Sequence, residues 1–549
     1  MTAATWIGAL TAVLGGMALA AATPPTWGPA AEWLVLAGLM VWFHLASDQR
    51  RPCWHSYVFG CVHMAMFSWS VHHVLFAAYA LIVGLGGAYY VIATMAVRAC
   101  GQRFAVLAFA VAVAAAFWLR ANMPEICYPH GQPCHSLWQW PTLLHSVLVG
   151  GEPLCNGLLA LFAAASVQLW RSWRTAASPW PAARRQWLAA VGACIAFTVL
   201  GHVVHVPAPQ ASDQVVIVAI EPGFHPMYEW ASLADDRRGS RLRELIEERL
   251  LAPTRDQLAA RPAPDVVLWP ESSLPENVPR ADLAAKSARL FAGRWGNATG
   301  RVLLGANVVD DALPTPAALL VETPSGRLLA HQEKRHLVPG GEFQPFFGWL
   351  PSSIATSLRD WFEAAMFSLP EAAPGAELPP LQTAKGQLFG ALLCFDNAFP
   401  GPAQAQVRMG AQWLCVLSNE AWYEGGDELS QLMAMTVVRA LETCTPIVRC
   451  TQDGLSGAVD AYGRITHSLP LAPSPQPGSR ILRVSVTPGP GRLPPLAWLR
   501  SATGPSSALL LTGLLLHGFV RWARLGRART ASRSAPATGF SGGEQGSGS

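Results

Sequence analysis

The 549-residue chain is 51% hydrophobic and only 13% charged, about half the charged share of an ordinary soluble domain. Its formal net charge of +4 is too small to argue for a nucleic-acid partner, and no basic patch is interleaved with aromatics. The mean hydropathy of +0.26 is unevenly spread, with apolar runs from Thr5 to about Val206, a soluble-type composition from Pro207 to about Ser501, and a last apolar run, roughly Ala502 to Val520.

A helix needs about 20 mostly apolar residues to cross the hydrocarbon core. Runs near 5–21, 31–46, 54–72, 74–97, 104–119, 142–168, 187–206 and 503–520 are the expected spans. The first lacks a basic leader and is followed by further spans, so it reads as a retained helix rather than a signal peptide. Arg50 and Arg51, Arg98 and Arg103, Arg171, Arg174, Arg184 and Arg185, and Arg521, Arg524, Arg527 and Arg529 fall in alternate connections. Basic loops stay in the cytoplasm, so the soluble segment is expected to face outward. The expected division is a bundle of about seven helices over 1–206, a soluble domain over 207–501, a last transmembrane helix over 502–522 and a basic, then disordered, cytoplasmic tail over 523–549.

Polar residues inside a membrane are costly and call for a functional hypothesis. His55, His63, His72, His73 and Glu152 form no periodic chain of acids and no repeat of the kind a transporter shows. A scaffold with a lipid-accessible groove is the expected role. Of eleven cysteines, Cys127 and Cys134 sit in the outward loop "EICYPHGQPCHS". Two readings stay open: a disulfide, if the compartment is oxidising, or a metal site with His130 and His135, at loose spacing for zinc.

In the soluble segment, "QVVIVAI", "PDVVLWPE", "RVLLGANVV", "GRLLAHQE", "GQLFGALLCF" and "AQWLCVLSNEAW" read as strands, and "RLRELIEERLLA" and "ELSQLMAMTVVRALET" as helices. "PIVRCTQDG" and "SGAVDAYGRI" close with a strand pair. Strands alternating with helices give an α/β class with a layered sheet. Glu271, Lys334 and Cys394 each close an apolar strand, where a rigid sheet positions a side chain in a cleft. A thiolate attacks carbonyls, but a free thiol has a pKa of about 8.5. A carboxylate can take its proton, and an ammonium favours thiolate and steadies an oxyanion. Singly these residues read as an exposed Glu, a surface Lys and a core Cys; together they read as a nucleophilic site. Between them, "FFGWLPSSIATSLRDWFEAAMF" places Leu350, Ile354, Leu358, Trp361, Phe362, Met366 and Phe367 near helical spacing. That stripe is either an interfacial gate or a helix packed on the core.

"WPES" at Glu271, "EKRHLVPGGEF" at Lys334 and Glu342, "LCFDN" at Cys394 and "SNEAWY" from Ser418 to Tyr423 resemble the nitrilase superfamily, specifically the bacterial apolipoprotein N-acyltransferases. "RALETCTPIVRCTQDGLSGAVDAYGRI" is similar to that family's closing region. The resemblance runs by motif over about Gln214 to Pro490, and by architecture over the whole chain. It implies a polytopic α-helical membrane bundle carrying an extracytoplasmic αββα nitrilase-type domain. It also implies Glu271 as general base, Lys334 as oxyanion and thiolate stabiliser, and Cys394 as nucleophile. Glu342 would orient Lys334 or the incoming amine, and Trp230 would stand near the acyl-chain entrance. Asp396, Phe395, Asn419 and Trp422 complete the accessory set. Phe395 and Asp396 replace the family's Tyr-Glu pair, and Pro-Gly-Gly-Glu replaces Pro-Phe-Gly-Glu. The Tyr-Asn pair that precedes the family's lysine strand is replaced near "TPAALLV". These departures touch substrate preference and leave the trio intact.

The expected reaction moves an acyl chain from a phospholipid through a Cys394 thioester to the N-terminal amine of a diacylated lipoprotein, in the bacterial inner membrane with the domain in the periplasm. No cofactor, metal or nucleic acid is expected, and the chain is expected to be a monomer. The alternatives are a membrane-anchored amidase using water, a specialised paralogue acylating another amine, or a degenerate lipoprotein-binding protein.

Overall fold

The computed structural model describes residues 3–23, 29–48, 50–74, 76–175, 180–209, 214–223, 235–291, 295, 298–310, 313–366, 371–423, 426–471 and 478–533. Helices α1 (Ala3–Ala21), α2 (Leu34–Asp48), α3 (Pro52–Phe67), α4 (Phe76–Cys100), α5 (Ala105–Asn122), α6 (Val147–Arg174) and α7 (Trp180–Val204) form the first part. Among the described residues, six helices are long and apolar enough to cross a membrane: Ala30–Ser47, Ala78–Cys100, Ala105–Asn122, Val147–Arg174, Trp180–Val204 and Ala497–Arg524. The two other expected spans are helices but fall short. The first is apolar yet brief, Thr5–Ala21. The third, α3, starts at Pro52 and stops at Phe67, and its polar residues turn inward. The Tyr90 hydroxyl meets His63 Nδ1 at 2.6 Å, and Thr94 donates to Ser56 Oγ at 2.8 Å. Buried polar groups paired helix to helix satisfy the requirement a bilayer interior imposes.

Trp42, Phe43, Phe59, Tyr90, Phe109 and Phe117 fill the bundle core. Helix α6 is kinked near its start, where Gly151 has φ +67° and Pro153 follows; only glycine takes that conformation without strain. Arg98 donates to the Ser47 carbonyl at 3.1 Å and Arg171 to the Ser47 hydroxyl at 3.0 Å. The basic ends of α4 and α6 therefore gather with the end of α2 at one end of the bundle.

The second part follows in the order β1 (Val215–Glu221), α8 (Asp235–Ile246), α9 (Ala252–Ala259), β2 (Val266–Leu268), β3 (Leu274–Pro279), α10 (Leu283–Phe291), β4 (Gly300–Val309), β5 (Pro314–Thr323), β6 (Arg327–Glu333), α11 (Ser352–Met366), β7 (Leu381–Gln382), β8 (Leu388–Leu393), α12 (Pro400–Arg408), β9 (Trp413–Ser418), α13 (Glu428–Thr443), β10 (Ile447–Thr451), β11 (Gly457–Val459), β12 (Ile465–Ser468) and β13 (Arg480–Val486). Helix α14 (Ala497–Arg533) closes the chain and packs on α4, α5 and α6.

Two sheets form. One has seven strands in the order β13-β1-β2-β4-β5-β6, with β3 beside β4; the other has six, β12-β11-β10-β9-β8-β7. Their centres, β1-β2-β4 and β8-β9-β10, are parallel. Parallel strands are buried on both faces and so read as continuous apolar runs, which is why these strands stood out in the sequence. Ile217, Val266, Leu303, Leu393, Trp413, Cys415 and Val448 pack between the sheets. Leu242, Leu250, Leu258 and Phe291 cover the outer face of the first sheet. Ala403, Val407, Met433 and Val437 of α12 and α13 cover the second. The result is an αββα sandwich. The last cluster continues into Cys134, Leu137, Leu144 and Val147, so the sandwich stands on the bundle through α13. Strands β5 and β13 were not anticipated. β13 pairs antiparallel with β1 and returns the chain to the first sheet before α14.

Candidate active site

Three strand ends converge. Glu271 lies three residues beyond β2, and Ser272 beside it has φ +58°. Its close fit against β4 requires Gly305, where a Cβ would stand 2.6 Å from the Glu271 Cα. Lys334 follows β6 directly, its amide donating to the Pro316 carbonyl at 2.8 Å. Cys394 follows β8 directly with φ +45°. A non-glycine residue there is held in a sparsely populated conformation, a sharp turn that lifts the thiol off the sheet end.

Lys334 Nζ donates to Glu271 Oε1 at 2.9 Å and to Glu342 Oε1 at 2.7 Å. Glu271 Oε2 accepts from the Asn419 amide at 3.1 Å, and Glu342 Oε2 from the Val338 amide at 2.8 Å. Lys334 is 1% exposed, yet its ammonium has two carboxylates. Burial alone would lower its pKa; Glu271, Glu342 and Cys394 outweigh that and hold it well above the ordinary value. Burial, opposed by Lys334, raises the Glu271 carboxyl above its usual 4.5, making it the better base. The Cys394 thiol is pushed up to about 12, first by burial and then by the Glu271 charge, with Lys334 and the Ser418 hydroxyl opposing. The resting sulfur is therefore a thiol, and thiolate forms as its proton leaves. Cys394 is nonetheless partly exposed.

Asp396 is the joint between two of these strand ends. Its carboxylate accepts from the amides of Arg335 at 3.2 Å, His336 at 2.8 Å and Leu393 at 3.4 Å, and meets His336 Nδ1 at 3.0 Å. It thereby ties the residues after Lys334 to the turn that carries Cys394. Phe395 lies outside the polar cluster: it stacks on His130 of the outer loop at 6.0 Å and meets Phe399 edge-on at 5.1 Å. Trp422 is 37% exposed, on a short turn after β9. Trp230 falls outside the described residues. Sequence reasoning named Ser418 and Tyr423 only as the ends of a motif and gave them no role; both act electrostatically with the Cys394 sulfur. Parallel pairing of β8 with β9 matches Leu393 to Leu417 and so brings Ser418 beside Cys394, a proximity that register alone supplies.

Cys127 and Cys134 are both free. Cys134 is buried against α6, its amide donating to Asn156 Oδ1 at 2.9 Å, while Cys127 packs near Phe395. The nearest metal-type grouping is Cys134, His135 and Glu152, with ligand atoms within 4.8 Å of one another. The Arg439 guanidinium is 2.7 Å from the same Glu152 oxygen that meets His135, so a cation already occupies that carboxylate.

Helix α11 forms where the amphipathic stripe was expected. Trp349 just before it is 69% exposed, and Ile354 and Leu358 are exposed on it. Its described apolar residues are therefore not packed on the core. The side chains of Trp361, Phe362, Met366 and Phe367 fall outside the described set.

Residues 15–165 match the family model of the apolipoprotein N-acyltransferase N-terminal domain, and 232–473 that of carbon-nitrogen hydrolases. An apolipoprotein N-acyltransferase of Vibrio cholerae is 31% identical over 270 residues, 48% of this chain and 49% of that one. One of Geobacter metallireducens is 30% identical over 234 residues, 41% of each chain. The chain thus spans half or less of those relatives' lengths. One of Caulobacter vibrioides is 27% identical over 500 residues, 84% of this chain and 86% of that one. Among solved structures, a nitrilase-superfamily amidase of Nesterenkonia covers 54% of this chain and 95% of its own at 17% identity, with a TM-score of 0.34.

Proposed function

Since this chain belongs to the apolipoprotein N-acyltransferase family of the nitrilase superfamily, we propose that it is a membrane acyltransferase that N-acylates lipoproteins through Cys394. Glu271 takes the Cys394 proton as the sulfur attacks the ester carbonyl of a phospholipid. Lys334 and backbone amides at the Cys394 turn stabilise the tetrahedral oxyanion. The carbon–oxygen bond breaks, Glu271 returns the proton to the departing lysophospholipid oxygen, and an acyl thioester remains. The α-amine of a diacylglyceryl-cysteine then enters and gives its proton to Glu271. It attacks the thioester, an amide forms, and the thiol is restored. This is a ping-pong sequence. A thioester is more reactive than the amide, so no further energy source is required.

The observation that carries this reading is a buried ammonium shared by two carboxylates beside a partly exposed thiol at a strained turn, in a chain that also carries the bundle. Glu342 fixes Lys334. The exposed apolar face of α11 suits a contact with lipid that keeps water from the thioester. The gathering of basic helix ends supports an inner-membrane setting with the domain in the periplasm. The test is to incubate purified protein with phospholipid and a diacylated lipopeptide. The expected product is triacylated, with a long-chain adduct on Cys394 by mass spectrometry and neither with Cys394→Ala. A short polar acyl adduct with released ammonia would instead assign an amidase, the reading that the carbon-nitrogen hydrolase match keeps in view.

A further inference from the structure

A cavity lies at the basic end of the bundle, away from the strand-end site. It has a volume of about 370 Å³ and is lined by Ser47, Arg98, Gly101, Gln102, Arg521 and Trp522, among others. Three elements build it: the end of α2, the α4–α5 connection and the middle of α14. Arg98 and Gln102 each give one hydrogen bond to the Ser47 carbonyl, at 3.1 and 3.0 Å. Among the described side chains, which exclude that of Asp48 at the end of α2, no carboxylate pairs with Arg98 or Arg521 and no acid lines the cavity. Gly101, at φ +67°, has Arg521 Nη1 3.6 Å from where a Cβ would stand, so the connection leaves room for the guanidinium to reach in. Trp522 is 70% exposed and Phe104, next in the connection, 54%. Such aromatics sit at headgroup depth.

We propose that this cavity binds a phosphate-bearing anion, the phosphodiester headgroup of an anionic phospholipid, held by Arg98 and Arg521 at the bilayer surface opposite the sandwich. Two guanidiniums that face no acid among the described side chains offer a phosphate oxygen pair directed hydrogen bonds. Basic pockets between transmembrane helices on the cytoplasmic side take anionic headgroups by this chemistry. The site is separate from the acyl-donor site, so its occupant is a retained lipid rather than a substrate.

The experiment is native mass spectrometry of the full chain in detergent, titrated in separate arms with phosphatidylglycerol, phosphatidylethanolamine and inorganic phosphate. Phosphatidylglycerol is expected to bind at least about 10-fold tighter than phosphatidylethanolamine. Arg98→Gln with Arg521→Gln is expected to remove that preference, Arg98→Lys with Arg521→Lys to restore part of it, and Arg184→Gln with Arg185→Gln, which are exposed on α7, to leave it intact. Phosphate competing at low millimolar concentration would support the anion site and assign the free ion as its occupant. Equal binding of the two lipids, or equal loss in both glutamine pairs, would overturn the site. The melting temperature of each variant, read in the same detergent, separates lost binding from lost folding.

Discussion

Glu271 and Lys334 are buried, and Glu342, which is only partly buried, shares the Lys334 ammonium with Glu271. For Glu271 to accept the thiol proton it must be ionised, and burial has raised its pKa above the ordinary carboxylate range. Activity is therefore expected to fall as pH drops through that raised value, so the acid limb lies above pH 4.5. Single-turnover thioester formation between pH 4 and 8 would show this limb, and Glu271→Gln should flatten it and slow the step by about 10²–10⁴-fold. An unchanged limb in the variant would remove Glu271 as the base. Asp396 makes a separate point at the same scale. As an acceptor for three amides it cannot be replaced isosterically by an amide, whose NH₂ would face N–H groups. Asp396→Asn is expected to cost about 1.5–3 kcal/mol in charge-assisted hydrogen bonds and to slow thioester formation more than it slows binding of phospholipid. A variant with wild-type rates would show that Asp396 serves packing alone. The trio was legible because each member ends an apolar run. The Asp396 clamp was not, since its distant partners are the backbone amides of Arg335 and His336, 61 and 60 residues away along the chain, which carry no residue-type signal.

Helix α13 carries a buried acid at its start. Glu428 is 1% exposed; burial pushes its carboxyl up to about 7, with the Ser70 hydroxyl opposing. An unfolded chain would release that proton near 4.5, so the folded state holds it more tightly. Stability on this account is full below about pH 4.5, falls as pH rises through the window to 7, and stays reduced above. The shift corresponds to about 3 kcal/mol at pH 8. Glu428→Gln should raise the melting temperature at pH 8 and leave it nearly unchanged at pH 4.5. A shift of the same size at both values would refute the titration. The amphipathic pattern of α13 was readable in "ELSQLMAMTVVRALET", whereas the apposition of Glu428 to Ser70 was not, because it joins segments more than 350 residues apart. Strands β5 and β13 were missed for a different reason. "PTPAALLVET" opens with two prolines, which argue against a strand interior, and "RILRVSV" is half exposed and rich in arginine.

At the scale of the molecule, the sandwich and the bundle meet across a buried ionic group. Arg439 of α13, fully buried, reaches Glu152 of α6 at 2.7 Å and Glu442 at 3.1 Å, and His135 meets the same Glu152 oxygen at 3.0 Å. Removing one partner of such a group leaves charge uncompensated, at a cost of about 3–5 kcal/mol. Arg439→Met should lower the melting temperature sharply and increase hydrogen exchange in α13 and in the loop 123–146. Adding Glu152→Gln should recover part of the loss, because the stranded carboxylate is then gone. No recovery in the double variant would mean that Arg439 acts by packing. Glu152 read as a costly acid inside a span; its partner on a helix of the other part was beyond the sequence.

Period and composition alone determined the apolar helices, the parallel strands at the centre of each sheet and the three residues at strand ends, because burial on all sides leaves uninterrupted apolar runs whatever the neighbours are. Tertiary structure decided what depends on which distant surfaces meet. That covers the left-handed turn at Cys394, the Asp396 joint, the free state of Cys127 and Cys134, and the Arg439–Glu152 contact. Each is set by how segments remote in the chain pack together, through geometry and desolvation that leave no periodic trace in residue order.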